Sequence, residues 1–108
     1  MRRKFILREK DVEKYLSRRV KKVGGEVRKV SWTGRRGAPD RLILLPGKTI
    51  WAELKGTGGR LAPHQAREIA RLEAAGCVVW ILWTKEDVDA AIENITGADA
   101  TGSSAGGG

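Results

Sequence analysis

The chain has 108 residues, with 21 lysine and arginine residues against 13 aspartate and glutamate residues and a formal net charge of +8. This length allows one folded domain, the single cysteine excludes an internal disulfide framework, and no apolar run is long enough to cross a membrane. Residues 1–41 carry 15 basic and 5 acidic side chains (+10), whereas residues 42–108 carry 6 basic and 8 acidic ones (−2). A basic half of this kind predicts a polyanionic partner, usually nucleic acid, with an anionic membrane surface as the alternative.

The first part of the chain predicts a helix, a strand and a basic loop. Apolar residues recur at spacings of three and four in residues 8–23, which predicts an amphipathic helix that Gly24 and Gly25 end. Partial alternation of apolar and polar residues predicts a first strand over residues 26–33. Glycine and proline then punctuate residues 34–39, which indicates a loop.

A hairpin follows this loop. Residues 41–45 form a short apolar run, and residues 49–55 form a second strand-like segment after a Pro-Gly-Lys turn. Two such segments around a tight turn are typical of paired antiparallel strands. We therefore expect the second and third strands of the chain to lie side by side.

The rest of the chain predicts a helix, a strand, a second helix and a tail. A helix opens at Pro63 and runs to about residue 75, and the apolar residues 77–83 predict a central strand covered on both faces. Thr84 caps a last helix that reaches about residue 94. The order αβββαβα predicts an α/β fold with a mixed sheet flanked by helices. Residues 97–108 are rich in glycine, alanine and serine, so we expect a domain over residues 1–96 and a disordered tail.

Candidate catalytic side chains lie on the hairpin. Side chains alternate across a strand, so Glu53 and Lys55 share one face. Asp40 opens the neighbouring strand, and pairing of the two strands brings it towards Glu53. Two carboxylates, together with water and phosphate oxygens, are the usual way to hold Mg²⁺. A metal held there can activate water and polarise a phosphoryl group, and Lys55 can stabilise the developing negative charge.

Three motifs give the chain a family resemblance: Gly37-Ala38-Pro39-Asp40, Glu53-Leu54-Lys55 and Leu61-Ala62-Pro63-His64-Gln65. Together they resemble the virus-type replication-repair nuclease (VRR-NUC) domain of the PD-(D/E)xK, or restriction-endonuclease-like, superfamily. The resemblance covers about residues 8–90 and is close to the small stand-alone members of phages and bacteria.

This resemblance implies an αβββαβ core and a phosphodiesterase that uses Mg²⁺ or Mn²⁺. It implies that Asp40 and Glu53 are metal ligands, that Lys55 is the catalytic lysine and that Gln65 belongs to the site. Stand-alone members are similar in fold to Holliday junction resolvases and usually act as dimers.

The role of Gln65 has two interpretations. Gln65, Ile69 and Leu72 share one helix face, which should pack on the sheet, so the Gln65 amide needs hydrogen-bond partners there. The amide either reaches the metal site or caps its own helix, whose first turn lacks a side-chain cap at Ala62.

The VRR-NUC resemblance also implies an acidic residue on the first helix. This sequence offers both Glu9 and Glu13 on that helix, and both are kept as candidates. At least one of them is expected to be an ordinary solvated acid that is paired with a basic residue.

Arginines surround the proposed metal site in the sequence. Arg35, Arg36 and Arg41 flank Asp40, and Arg60 lies in the glycine-rich loop after Lys55. Such side chains would contact phosphates and position DNA without reading its sequence.

The resulting hypothesis is a Mg²⁺- or Mn²⁺-dependent, structure-specific DNA endonuclease. We expect it to cut branched DNA such as Holliday junctions in replication, recombination or repair. We expect a homodimer in the cytoplasm of a bacterial or phage-infected cell, away from membranes. The alternatives are a catalytically silent nucleic-acid-binding module on the same fold and a basic domain that binds RNA or a membrane surface.

Overall fold

The computed structural model describes residues 6–97 and confirms the α/β fold and the element order αβββαβα. Within these residues, no helix combines the length and the apolar character needed to cross a membrane. The predicted tail falls almost wholly on residues 98–108, which lie outside the described residues, so the division into domain and tail stays a prediction. In chain order the elements are α1 (Glu9–Lys22), β1 (Glu26–Lys29), β2 (Arg41–Leu45), β3 (Lys48–Leu54), α2 (Pro63–Ala74), β4 (Val78–Leu82) and α3 (Lys85–Thr96).

The four strands form one mixed sheet in the order β1-β2-β3-β4. The predicted hairpin is confirmed, because β2 and β3 pair antiparallel, and β4 runs parallel to β3. The prediction of a central strand over residues 77–83 was wrong, because β4 lies at the edge of the sheet. Strand β4 is nevertheless apolar because the helices α2 and α3 both pack against it. The start of β4 shows its edge position, with Val78 42% exposed.

The hydrophobic core lies between one face of the sheet and the helices α1 and α3. Residues of β3 that alternate with Glu53 point into this core, so the Glu53 and Lys55 side chains point to the opposite face, where α2 packs. The sheet therefore separates the core from the candidate site. The largest fully buried side chains of the core are Leu16, Ile43, Ile50, Leu54, Leu82 and Ile92.

Strand β1 is shorter than the sequence predicts, because it ends at Lys29 rather than at residue 33. Lys29 pairs with Arg41, which is the first residue of β2, so the pairing of β1 with β2 ends there. One backbone bond continues past it, from Val30 N to Asp40 O at 3.0 Å. After that, Trp32 leaves the strand and packs its ring against Trp51.

Candidate active site

Asp40 and Glu53 are brought together by the pairing of β2 with β3. Arg41 lies opposite Ala52, so Asp40, one residue before Arg41, comes to the level of Glu53. The Glu53 side chain is 12% exposed and that of Asp40 is 52% exposed. Burial raises the pKa of Glu53; Lys55 opposes that increase, and the Asp40 and Glu9 carboxylates add to it. The Asp40 and Glu9 carboxylates therefore both lie within electrostatic reach of Glu53, which is the most enclosed of the three.

Gln65, in the first turn of α2, links the acid and the amine of β3. Its Nε2 donates to Glu53 Oε2 at 3.1 Å, and its Oε1 accepts from Lys55 Nζ at 3.0 Å. The same Oε1 accepts from Ala62 N at 2.9 Å. A carboxylate only accepts and an ammonium only donates, so these partners determine which way the amide faces. The Gln65 side chain therefore caps its helix and also contacts Glu53 and Lys55, while its place in a metal site stays a prediction.

The two acidic candidates on α1 have different surroundings. Glu9 begins α1 beside the end of β3, because a Cβ added to Gly56 would lie only 2.7 Å from Glu9 N. Its charge contributes to the raised pKa of Glu53. Glu13 instead binds Arg41, with Glu13 Oε2 accepting from Arg41 Nη2 at 2.8 Å and from Nε at 3.2 Å. The structure thus brings Glu9 towards Glu53 and pairs Glu13 with Arg41; a catalytic role for either acid stays a prediction.

The donor groups of this site suit a hard divalent cation. No cluster of three or more His, Cys, Asp or Glu side chains within residues 6–97 is arranged as a ready-made metal centre. Mg²⁺, however, usually keeps several waters and takes one or two carboxylates together with phosphate oxygens. The Asp40 and Glu53 carboxylates meet that requirement. Burial is the main cause of the raised pKa of Glu53, and the Asp40 and Glu9 carboxylates add a repulsion that a cation would relieve.

Comparisons with known proteins point to one family. No family model matches the sequence. "Putative nuclease p44" of Acyrthosiphon pisum secondary endosymbiont phage 1 is 47% identical over 78 residues, which are 71% of this chain and 84% of that protein. A solved structure described as "VRR_NUC domain" is 40% identical with a TM-score of 0.73, over 79% of this chain and 94% of the other. This chain belongs to the VRR-NUC family.

Membership of the VRR-NUC family confirms the resemblance given by the three motifs. It agrees with the restriction-endonuclease-like α/β fold, since the sheet is mixed and flanked by helices. The family and the phage relative also support a nuclease. The motif residues Asp40, Glu53, Lys55 and Gln65 come together at one end of the hairpin.

Three of the four arginines proposed to contact phosphates in this VRR-NUC chain lie on its surface. Arg36 and Arg60 are exposed, and neither has an ion-pair partner within residues 6–97. Arg35 is also exposed, and its Nε lies 3.7 Å from the carboxylate of the buried Glu68 on α2. These three side chains remain candidates for phosphate contact, with Arg35 partly neutralised.

The fourth arginine, Arg41, differs from the prediction, because its side chain is only 4% exposed. Its guanidinium binds Glu13 and lies 2.8 Å from Asp40 Oδ1. A buried cation that is neutralised by two carboxylates cannot reach a DNA phosphate. Arg41 instead joins α1 to the hairpin and holds the Asp40 side chain.

Sequence reasoning missed Trp32, which positions the backbone before Asp40. Its indole Nε1 donates to the Pro39 carbonyl at 2.8 Å. Its ring packs on Trp51 with centroids 5.0 Å apart and planes tilted by 47°. Trp51 lies on the same face of β3 as Glu53, so Trp32 connects the segment that carries Asp40 to the strand that carries Glu53. A tryptophan after a strand is no motif, so no sequence signal reveals this contact.

Proposed function

We propose that this chain is a divalent-metal-dependent DNA endonuclease that hydrolyses phosphodiester bonds in branched DNA. The main support is the constellation of two carboxylates, a lysine and a bridging glutamine at one end of the β2–β3 hairpin. Family membership supports the nuclease chemistry, and the net charge of +8 favours a polyanionic substrate. The preference for branched DNA extends the likeness of stand-alone VRR-NUC members to junction resolvases.

Each side chain of the site has a distinct role in this proposal. Asp40 and Glu53 hold Mg²⁺ or Mn²⁺, which supplies activation of water and polarisation of the phosphate when bound. Lys55 donates to a non-bridging phosphate oxygen and stabilises the negative charge of the transition state. Gln65 aims the ammonium, because Lys55 Nζ lies 3.0 Å from Gln65 Oε1 but 3.5 Å from Glu53 Oε2. The ammonium therefore keeps donor capacity for substrate.

We also propose a homodimer as the active form. One chain provides one constellation of Asp40, Glu53 and Lys55, whereas the symmetric cutting of two strands requires two. A twofold dimer supplies both sites with the matching symmetry. The molar mass in solution, measured by light scattering with and without a four-way junction, tests this point, and a monomer in both conditions contradicts it.

Cleavage of defined DNA substrates tests the function. Labelled four-way junction, flap and linear duplex are incubated with the protein in Mg²⁺, in Mn²⁺ and in EDTA. We expect cleavage only with metal, a preference for the junction, and loss of cleavage with retained DNA binding in Asp40→Ala. Absence of metal-dependent cleavage of every substrate would overturn the nuclease proposal, and DNA binding without cleavage would favour the silent binding module. Cleavage of the flap in preference to the junction would overturn the substrate preference alone.

Trp32 gives a second, independent test of the proposed metal site. Trp32→Phe keeps a ring against Trp51 but removes the N–H that holds the Pro39 carbonyl. We expect Mn²⁺ to bind about tenfold more weakly, as measured by electron paramagnetic resonance without DNA, because groups that orient metal ligands usually contribute 10–100-fold to affinity.

The matched control for this variant is Trp83→Phe. Trp83 Nε1 donates to the Gly59 carbonyl at 2.9 Å, so the control loses an equivalent hydrogen bond away from Asp40. Both variants should lose a similar, small amount of thermal stability. Equal Mn²⁺ affinity in the two variants would contradict the positioning role of Trp32.

A further inference from the structure

A second group of cations lies between α1 and α3, on the core side of the sheet and away from the Glu53 face. Lys14 and Arg18 of α1 and Lys85 of α3 line one surface concavity of about 390 Å³. The other residues that line it are Ile6, Leu7 and Asp11. The concavity is therefore bounded by three positive side chains and one negative one, together with two apolar residues.

Two of these cations are held against the same aromatic ring. Arg18 Cζ lies 5.8 Å and Lys85 Nζ lies 5.4 Å from the centroid of the Tyr15 ring. Both distances are within the range of cation–π attraction. The Tyr15 hydroxyl donates to Asp89 Oδ1 at 2.7 Å, which anchors the ring to α3. The ring thus gathers two like charges that would otherwise separate.

These positive charges exceed the negative charge beside them. Within residues 6–97, none of Lys14, Arg18 and Lys85 has an ion-pair partner. The one acid of the concavity, Asp11, accepts from the Arg8 backbone N–H through its Oδ2 at 3.1 Å and offsets only part of the positive charge. Three cations beside one carboxylate leave an excess of positive charge, and an anion between the cations reduces their mutual repulsion.

The concavity and the candidate site lie at the same end of the sheet. Leu54 and Leu82 are paired at the carboxyl ends of the parallel strands β3 and β4. Lys55 and Lys85 follow these two strand ends in the chain. On α1, Lys14 comes five residues after Glu9, which is about 8 Å along a helix axis. Glu9 is close enough to Glu53 to affect its pKa. A nucleic acid strand that leaves the site past the carboxyl ends of β3 and β4 therefore meets Lys14, Arg18 and Lys85.

We propose that Lys14, Arg18 and Lys85 form a second phosphate-binding site. It takes a backbone phosphate of the nucleic acid substrate that lies outside the linkage to be cut. This inference rests on the proposed function for its class of ligand. It assigns these cations to the holding of substrate and not to the chemistry of cleavage.

Salt-dependent DNA binding tests this site. The double variant Lys14→Gln/Lys85→Gln is compared with the wild type by fluorescence anisotropy, on labelled duplex and four-way junction, in EDTA. One lost phosphate contact lowers the slope of log affinity against log salt by about 0.9, which is about an eightfold loss of affinity at 0.1 M salt. We expect that change on both DNAs.

The single variants and a control make the result specific. Lys14→Gln and Lys85→Gln should combine less than additively, because side chains that share one phosphate are coupled. Lys48→Gln removes one charge at the β2–β3 turn, at the far end of the hairpin from Asp40, where Lys48 Nζ contacts Ile95 O at 2.7 Å. That control should leave the salt slope unchanged.

Three outcomes would overturn the inference: an unchanged salt slope in the double variant, an equal loss in Lys48→Gln, or wild-type binding to anionic vesicles without binding to DNA. Binding in EDTA does not depend on catalysis. A protein that shows the expected slopes but never cleaves DNA would therefore contradict the nuclease proposal and leave the phosphate site standing.

Discussion

Replacing Glu53 with glutamine is expected to abolish metal-dependent cleavage and to raise the melting temperature of the metal-free protein. Cleavage is lost because an amide is a poor ligand for the proposed cation. Stability rises because burial makes the ionised carboxylate costly, and Asp40 and Glu9 add repulsion. The Gln65 Nε2–H that donates to Glu53 at 3.1 Å can still donate to the new amide oxygen. Thermal unfolding in EDTA and cleavage in Mg²⁺ measure the two effects.

The stability difference should depend on pH in a defined direction. The pKa of Glu53 is raised above its ordinary value of 4.5, so folding favours the protonated form. Well below pH 4.5 the carboxyl is neutral in both the folded and the unfolded state, so the variant gains little stability there. As pH rises through the folded pKa, the wild type loses stability relative to Glu53→Gln, and the difference then levels off. A difference that shrinks with rising pH would contradict this account.

Glu13→Gln provides the matched control, because the same substitution should act in the opposite direction. Glu13 neutralises Arg41, whose side chain is 4% exposed. Loss of that charge leaves a buried guanidinium with only Asp40 beside it, which lowers stability. A lower melting temperature for Glu13→Gln and a higher one for Glu53→Gln would distinguish a supporting ion pair from a functional carboxylate.

Substitution of Gly56 by alanine is expected to destabilise the fold by about 2–4 kcal/mol, through left-handed backbone strain and a steric clash together. Gly56 has φ of +74°, and an added Cβ would lie 2.7 Å from Glu9 N and 2.9 Å from Leu7 O. Both contacts are backbone atoms, so relief requires the start of α1 to move. Unfolding in urea measures the loss.

Gly58 is the control for this prediction. It also has a positive φ, +84°, but an added Cβ would meet no atom within 4 Å. Gly58→Ala should therefore cost only the left-handed conformation, about 1–2 kcal/mol. Similar losses at the two glycines would show that the approach of α1 to residue 56 is unimportant for stability.

The features that the sequence predicted well depend on local patterns. The Pro-Gly-Lys turn between two apolar runs predicted the hairpin, and alternation along β3 placed Glu53 and Lys55 on one face. Pairing of the hairpin then brought Asp40 towards Glu53. Helical spacing likewise directed Gln65 towards the sheet, where it contacts both side chains.

The features that the sequence did not predict depend on contacts between distant segments. Sheet order is one of these, and it placed β4 at the edge because no strand follows it within the described residues. The burial of Arg41 is a second such feature. Alternation along β2 places Arg41 on the face opposite Asp40 and Glu53, and there it binds Glu13 of α1. The Trp32–Pro39 bond and the approach of Gly56 to α1 also leave no pattern in the sequence.

The choice of an amide as the link between Glu53 and Lys55 limits how the site responds to acidity. A glutamine does not titrate, whereas a histidine in its place would change its hydrogen bonding near neutral pH. Between the ranges in which carboxylic acids and ammonium groups ionise, Gln65 keeps the same donor towards Glu53 and the same acceptor towards Lys55. The acidic limb of a pH–rate profile should therefore carry no contribution from the bridge between Glu53 and Lys55.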